Sequence, residues 1–492
     1  MTGRLAGVAV PLFSLRSEPD PGIGEFDDLI PFFSWAVAAG QRIIALLPLG
    51  EAAPGEGSPY NALSSFALDP LHLRLARIPE LRNRRPVPPA DPRLGGARVD
   101  RQAARAWKEP LFREAFERFR ALPESHARRR RFRAFLQGRG AWLDDYSLFR
   151  ALLEENDWRS WRDWPEALRR RDPIALEEAR ARLESRTRLF EYLQFVAEEA
   201  WQRVRAAARR RGVALMGDLP FAPSENSADV WAHPEVFDVS RSIGAPPDEF
   251  SASGQRWGLP MIRWNELRRS GWRWLRQRVR RMAELYDLFR VDHVVGLFRT
   301  FYFVGDSPGD FDPAAPEAQA AQGREILEAM IAEGAAAKPI AEDLGTIPPF
   351  VRETITALGI PGYKVLRWER ADGDFADPSS YPECSVATTG THDTSTLAEW
   401  WAELSPRELT REHRHAILDS LYRSPSRYVI LPIQDLFGWR ERINLPASTG
   451  EGNWTFRLPV VAEKLHTDPA IRRETGMLRR SIDASGRLRR MA

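Results

Sequence analysis

The stretch LFRVDHVVGLFR, Leu288 to Arg299, decides how the rest of the chain is read. Its β-branched and aromatic residues are those of a buried strand, yet Arg290, Asp292 and His293 fall within four positions. Burying an unpaired carboxylate costs several kcal/mol, so these charges either neutralise one another or are kept for chemistry. Side chains at i and i+2 of a strand share a face, so Arg290 and Asp292 point the same way, inward if Val291 packs outward against helices. A guanidinium beside an aspartate favours the ionised form, which suits a nucleophile. A structural ion pair is the plain alternative. His293, next to Asp292, would face the opposite side of a regular strand, and both can line one cavity only if the strand ends there.

Seven other short apolar segments share this character: LAGVAVPLF from Leu5, RIIALLPLG from Arg42, GVALMGDLPF from Gly212, KPIAEDLG from Lys338, GYKVLRWE from Gly362, CSVATTGTHD from Cys384 and RYVILPIQDLFG from Arg427. Amphipathic runs such as FDDLIPFFSWAVAAG, GREILEAMIAEGAA and PPFVRETITALGI lie between them. Eight strands alternating with helices predict an α/β fold of the (β/α)8 TIM-barrel type. A doubly wound sheet would bring a Gly-rich turn after its first strand, and VPLFSL has none. Residues 1–59 read as the first part of the barrel and 60–202 as a mainly helical insertion between the second and third strands. Residues 203–492 read as the rest of the barrel with its binding loops. The C-terminal MLRRSIDASGRLRRMA reads as a last helix with a frayed end.

The chain has 492 residues, 43% hydrophobic and 28% charged, the balance of a soluble globular protein. No apolar run approaches the roughly 18 residues that span a bilayer, and Pro11 and Ser14 interrupt any signal-peptide core, which predicts a cytoplasmic protein and no membrane partner. The single cysteine, Cys384, excludes an intrachain disulfide and a thiolate metal site. A net charge of +3 is a weak electrostatic case for nucleic acid. The arginine runs from His126 and from Arg268 read as amphipathic helices whose arginines face water.

Acids gather at the C-terminal ends of the expected strands: Asp218, Asp292, Glu342, Asp393 and Asp435. That rim is where barrels of this kind build active sites. Carboxylates sharing one cavity repel each other, which raises at least one pKa and sets a general acid beside a nucleophile. Such a pair is what glycosidic bond cleavage requires. Arg290, His293 and His392 add fixed donors for sugar hydroxyls. Sugar faces also stack on aromatic rings, and 17 tryptophans exceed what packing needs. Trp161, Trp164, Trp272 and Trp274 read as packing residues, whereas Trp257, in the polar loop PPDEFSASGQRWGLP, and Tyr60, in EGSPYNALSSFALDP, read as ligand contacts.

Taken in order, EGSPYNALSSFALDP, WLDDYSLF, GDLPFAPSENSADVW, GAPPDEFSASGQRWGLP, FRVDHVVGLFR, IAEDLG, GTHDTSTLAEWW, QDLFG and GNWTFRLP resemble the amylomaltases or 4-α-glucanotransferases, glycoside hydrolase family 77. The resemblance implies Asp292 as nucleophile, Glu342 as general acid/base and Asp393 as the carboxylate that stabilises the transition state. It implies that Arg290, His293 and His392 hold the sugar at the cleavage point, and that Ser58, Tyr60, Asp248, Gln255, Trp257 and Asn453 lie along a glucan groove, with Asp218 a further rim acid. The implied reaction is transfer of α-1,4-glucan segments to the 4-hydroxyl of an acceptor with retention, using no cofactor and no metal. The implied partners are maltooligosaccharides, glycogen or starch-type glucans, and glucose as acceptor. A retaining hydrolase and a non-catalytic glucan-binding protein are the rival readings. Three positions depart from the family pattern: Ile262, where a tyrosine is common, and Ala447 and Ser448 in NLPAS, where the family has NxPGT.

Overall fold

The computed structural model describes residues 3–84, 86–247, 253–334, 336–446, 448, 450 and 452–488. Eight parallel strands close into a barrel: β1 (Leu5–Ala9), β2 (Ile43–Ala45), β3 (Ala214–Leu219), β4 (Leu288–Val291), β5 (Lys338–Ala341), β6 (Gly362–Val365), β7 (Ser385–Thr388) and β8 (Tyr428–Pro432). Each pairs with its neighbour in sequence, and β8 returns to β1 with Leu5 opposite Tyr428. Each of the eight apolar segments supplies one strand.

The alternation on β4 explains how the barrel is filled. Leu288 points inward into a cluster with Leu5, Ile43, Met216, Ile340, Val386 and Ile430, while Phe289 and Val291 pack outward. Arg290 therefore takes the next inward position, above the apolar floor. The register places it opposite Asp218 of β3 and Ile340 of β5.

Two excursions frame the mouth. Strands Phe237–Ala245, Gln255–Ile262, Thr300–Val304 and Asp310–Asp312 form a four-stranded antiparallel sheet between β3 and β5. Between β2 and β3 the chain runs through helices Arg101–Arg120, Ala127–Glu155 and Glu184–Arg210, so residue 202 lies inside the last of these. That helix is buried on all sides from Leu189 to Glu198 and on one face beyond, and Trp201 on it donates to Leu285 O at 2.9 Å, just before β4. The loop after β2 folds back on itself through an Ala52–Ala62 bridge. Glu51 at its base accepts from Tyr146 and, at 2.9 Å, from Arg150 of helix Ala127–Glu155. This anchorage presents Ser58 and Tyr60 at the mouth.

The arginine runs are less solvated than their spacing suggests. Arg128, Arg278 and Arg281 are buried. Arg128 pairs with Glu80 and Glu199, Arg281 with Glu198 and Glu284, and Arg278 donates to the carbonyls of Pro220 and Phe221. Most of the acceptors that offset desolvation, Glu80, Glu198, Glu199 and the carbonyls after β3, come from other parts of the chain, which a single helix's pattern does not reveal.

The C-terminal segment stays anchored past its last helix as far as it is described, and residues 489–492, the end read as frayed, lie outside the described residues. Helix Pro469–Ala484 leads to Arg487, which is fully buried and donates to the carbonyls of Tyr422, Ser424 and Ser426, with longer bonds to Leu5 and Arg427. The Tyr422 and Ser424 carbonyls lie at the C-terminus of helix Arg411–Arg423, whose dipole favours a cation there. Burial, then repulsion from Arg4, pulls Arg487 down to about 9. Truncation at Arg487→Ala would leave buried carbonyls unpaired at about 1–3 kcal/mol each. The expected result is a clearly lower thermal midpoint with kcat unchanged at temperatures where the variant is folded. An unaltered midpoint in a thermal scan would show that the clamp contributes nothing.

Candidate active site

The mouth of the barrel opens into a cavity of about 620 Å³ lined by Asp218, Arg290, Tyr363, Thr391 and His392 among others. Arg290 is its hub. One guanidinium nitrogen, Nη1, donates to Asp218 at 2.7 and 2.9 Å and to the Tyr60 hydroxyl at 3.2 Å. The other, Nη2, lies 2.9 Å from Asp292 Oδ1 and 3.5 Å from Glu342 Oε1. Both alternatives raised by the charged strand therefore hold: the charges neutralise one another, and they converge where chemistry is possible.

The sum of those two distances, 2.9 and 3.5 Å, keeps Asp292 Oδ1 and Glu342 Oε1 within about 6.4 Å of each other, so the two carboxylates face one small space as glycosidic cleavage requires. Their placement follows from strand ends. β4 stops at Val291 and β5 at Ala341, so Asp292 and Glu342 are each the first residue past a strand. His293 then adopts φ 46°, a left-handed conformation that costs a residue with a Cβ. That turn resolves the facing problem: the His293 backbone N–H donates to Glu342 Oε2 at 2.6 Å, and its ring meets Trp257 edge-on with centroids 4.8 Å apart. Gly296 is required beside it, because a Cβ there would come within 2.6 Å of the Phe221 ring and 2.7 Å of the His293 ring.

The electrostatics separate the three acids. Glu342 and Asp292 side chains are 17% and 22% exposed, against 44% for Asp393. Burial pushes Glu342 up to about 7, and the Asp292 charge adds to it against the pull of Arg290. Burial likewise raises Asp218, with Arg290 opposing. Asp393 goes the other way: burial opposes ionisation, but His392 at 3.2 Å and a hydrogen bond from Asn444 at 2.6 Å hold it well below the usual carboxylate range. Burial lowers His293 to about 4, leaving a neutral imidazole, whereas the Asp393 charge outweighs burial and raises His392.

Tyr60 bridges the two halves of the site. Its hydroxyl donates to Asp218 Oδ2 at 2.7 Å and lies 3.1 Å from His392 Nε2, with the two rings stacked at 5.3 Å. Tyr60, Asp218, Trp257, Arg290, Asp292, His293, Glu342, His392 and Asp393 are thus joined by direct contacts. Ser58 accepts from the Tyr60 backbone N–H, and Gln255 accepts from the Trp257 indole at 3.2 Å. Asn453 spends its amide inside its own loop, on Leu445 and Ser448. Asp248 and Ala447 lie outside the described residues, and Ile262 is buried.

Asp435 does not join the rim. A helix, Ile433–Phe437, begins directly after β8 and turns its carboxylate into the protein, where it accepts from Thr389 and from Leu397 N–H. The sequence reading missed Asn444, Tyr363 and Trp454, the last packed against both Tyr60 and His392. Asn444 opens NLPAS and Trp454 lies in GNWTFRLP, so the family-like stretches contained both residues without singling them out, while Tyr363 sits at an inward position of a strand and could have been found by alternation. Among the described residues no group of three or more His, Cys, Asp or Glu is arranged to hold a metal ion.

Comparison with known proteins agrees with this fold. The family model described as 4-alpha-glucanotransferase matches residues 10–463. A 4-alpha-glucanotransferase of Chlamydia pneumoniae is 34% identical, the match covering 93% of this chain and 92% of the relative, and one of Thermus thermophilus is 34% identical over 87% and 89%. Among solved structures, the amylomaltase of Streptococcus agalactiae in complex with acarbose superposes with a TM-score of 0.85 at 26% identity, covering 98% of this chain and 99% of that one. The amylomaltase of Corynebacterium glutamicum, at 23% identity and a TM-score of 0.79, covers 97% and 75% and shares the fold. A closed barrel with this rim, matched by the family model over most of its length, belongs to glycoside hydrolase family 77, the 4-alpha-glucanotransferases.

Proposed function

We propose that this 4-α-glucanotransferase works by double displacement through Asp292, Glu342 and Asp393. The observation that carries the proposal is Arg290, which brings Asp292 and Glu342 to one guanidinium nitrogen, with Glu342 pushed up to about 7. In the first step the Glu342 carboxyl gives its proton to the glycosidic oxygen as Asp292 attacks the anomeric carbon. The bond to the leaving glucan breaks, that glucan departs with a new 4-hydroxyl, and a glycosyl ester forms on Asp292. In the second, the Glu342 carboxylate takes the proton of an acceptor 4-hydroxyl whose oxygen attacks the same carbon, freeing Asp292. The configuration is retained.

Asp393, kept ionised by His392 and Asn444, faces the charge that develops on the sugar ring. His293, neutral at physiological pH, offers one donor and one acceptor to a hydroxyl. Trp257 and Tyr60 supply rings at the site, and Ser58, Asp218, Asp248, Gln255 and Asn453 complete the proposed groove. Maltooligosaccharides and glycogen- or starch-type glucans are the proposed donors, with glucose among the acceptors. The S. agalactiae relative's acarbose complex supports an α-glucan-like ligand. No described helix is long and apolar enough to cross a membrane, and the proposal places the enzyme in the cytoplasm with its glucans. Residues 60–202 are proposed to act as a helical subdomain bordering the groove.

Incubation with maltotriose is expected to give a ladder of longer and shorter glucans without matching growth in reducing ends, lost in Asp292→Asn. Glucose and maltose alone would indicate hydrolysis, and an undiminished ladder in the variant would remove Asp292 from the mechanism. Because Glu342 must carry a proton in the first step, kcat/KM should fall as pH rises through about 7, and Glu342→Gln should lower kcat by roughly 10²–10⁴-fold. A wild-type profile flat to pH 9 would contradict the assignment of the acid.

A further inference from the structure

We propose that Asn444 is a positioning residue for the reaction, the group that sets the orientation of Asp393. The inference rests on the reading of Asp393 as the carboxylate that faces the transition state. Asp393 is the most exposed of the three acids and the furthest from a strand, five residues beyond the end of β7. Transition-state stabilisation needs it held to a fraction of an ångström, which an unsupported loop does not provide.

The loop backbone is fixed at both ends. Asp435 accepts from Thr389 and Leu397, and the Arg367 guanidinium donates to Thr389 O at 3.2 Å, Ser395 Oγ at 2.8 Å and Ser395 O at 2.7 Å. These contacts place the Asp393 Cα but leave its carboxylate free to rotate. Two side chains settle that rotation, one on each oxygen: His392 on Oδ2 at 3.2 Å and Asn444 Nδ2 on Oδ1 at 2.6 Å. His392 is divided, since the same ring nitrogen also faces the Tyr60 hydroxyl. Asn444 has no such competitor and is 9% exposed.

Asn444 is itself held. Arg442 donates to Asn444 O at 3.3 Å and to Asp393 O at 3.1 Å, so two consecutive contacts join this loop to the Asp393 turn. Leu445 N–H is captured by Asn453, and Trp454 N–H donates to Ile443 O at 2.7 Å, closing the loop between them. Trp454 then packs on His392 and Tyr60. A single neutral donor on one carboxylate oxygen favours the anion while leaving the remaining lone pairs for sugar.

The test compares kcat, KM, pH dependence and thermal midpoint of Asn444→Ala, Asn444→Asp and Asp393→Asn on maltotriose. Asn444→Ala should lower kcat by about 10- to 100-fold with KM within about twofold. Asn444→Asp places a carboxyl beside Asp393, and the two share a proton at low pH. The introduced carboxyl then donates as the amide did, so activity relative to wild type should be highest at low pH and fall as pH rises and the two anions repel. Asp393→Asn should be nearly inactive, and adding Asn444→Ala to it should cost little more. Wild-type kcat in Asn444→Ala, or an Asn444→Asp to wild-type ratio that does not change with pH, would overturn the proposal and leave Asn444 a loop brace. Substantial activity in Asp393→Asn would instead overturn the reading of Asp393. Should Asn444→Ala fail to fold, the nearly isosteric Asn444→Asp decides by its pH ratio alone.

Discussion

One guanidinium organises this site. Arg290 reaches Asp218 with one nitrogen and both Asp292 and Glu342 with the other, so a single cation sits among three carboxylates in a buried mouth. One positive charge cannot neutralise three negative ones in a poorly solvated cavity, and the cheapest relief is to keep a proton. The proton belongs to the group as a whole, and its most effective seat is Glu342, buried and pushed up to about 7. The ion pair and the acid/base chemistry are thus the same arrangement: what makes the charged strand tolerable to fold also supplies a protonated carboxyl beside an ionised one.

The barrel makes this possible by geometry. Inward positions on β3 and β4 bring Asp218 and Arg290 level, and the ends of β4 and β5 deliver Asp292 and Glu342 one residue beyond regular pairing. Past the strand ends the backbone is free to turn, and His293 uses that freedom in a left-handed conformation supported by Gly296, Phe221 and Trp257. The second half of the site is built differently. His392 and Asp393 ride on a loop beyond β7 and depend on contacts from Tyr60, Arg442, Asn444 and Trp454, drawn from distant parts of the chain.

That contrast explains what was legible in the sequence. Eight short apolar runs, most of them followed by a helical pattern, state the barrel, because alternation and length are local properties of a strand. The acids at strand ends were readable for the same reason, whereas Trp257, read as a loop residue, lies on the strand Gln255–Ile262 with its ring edge-on to His293. Asp435 was misread, since a helix starting directly after Pro432 turns it inward and the segment looks the same either way. The burial of Arg128, Arg278 and Arg281 depends on acceptors drawn largely from distant parts of the chain, and Asn444 meets Asp393 across 51 residues of chain. Such contacts are tertiary, and no periodicity records them.

The most direct test of the account is mass analysis of a trapped glycosyl-enzyme. An activated α-glucosyl donor that needs no acid assistance, given to the Glu342→Gln variant, should accumulate an ester because the second step lacks its base. The account predicts a mass increase of one glycosyl unit, localised by peptide sequencing to the fragment containing Asp292. An adduct on any other side chain, or an α-donor turned over with inversion and no adduct, would contradict it.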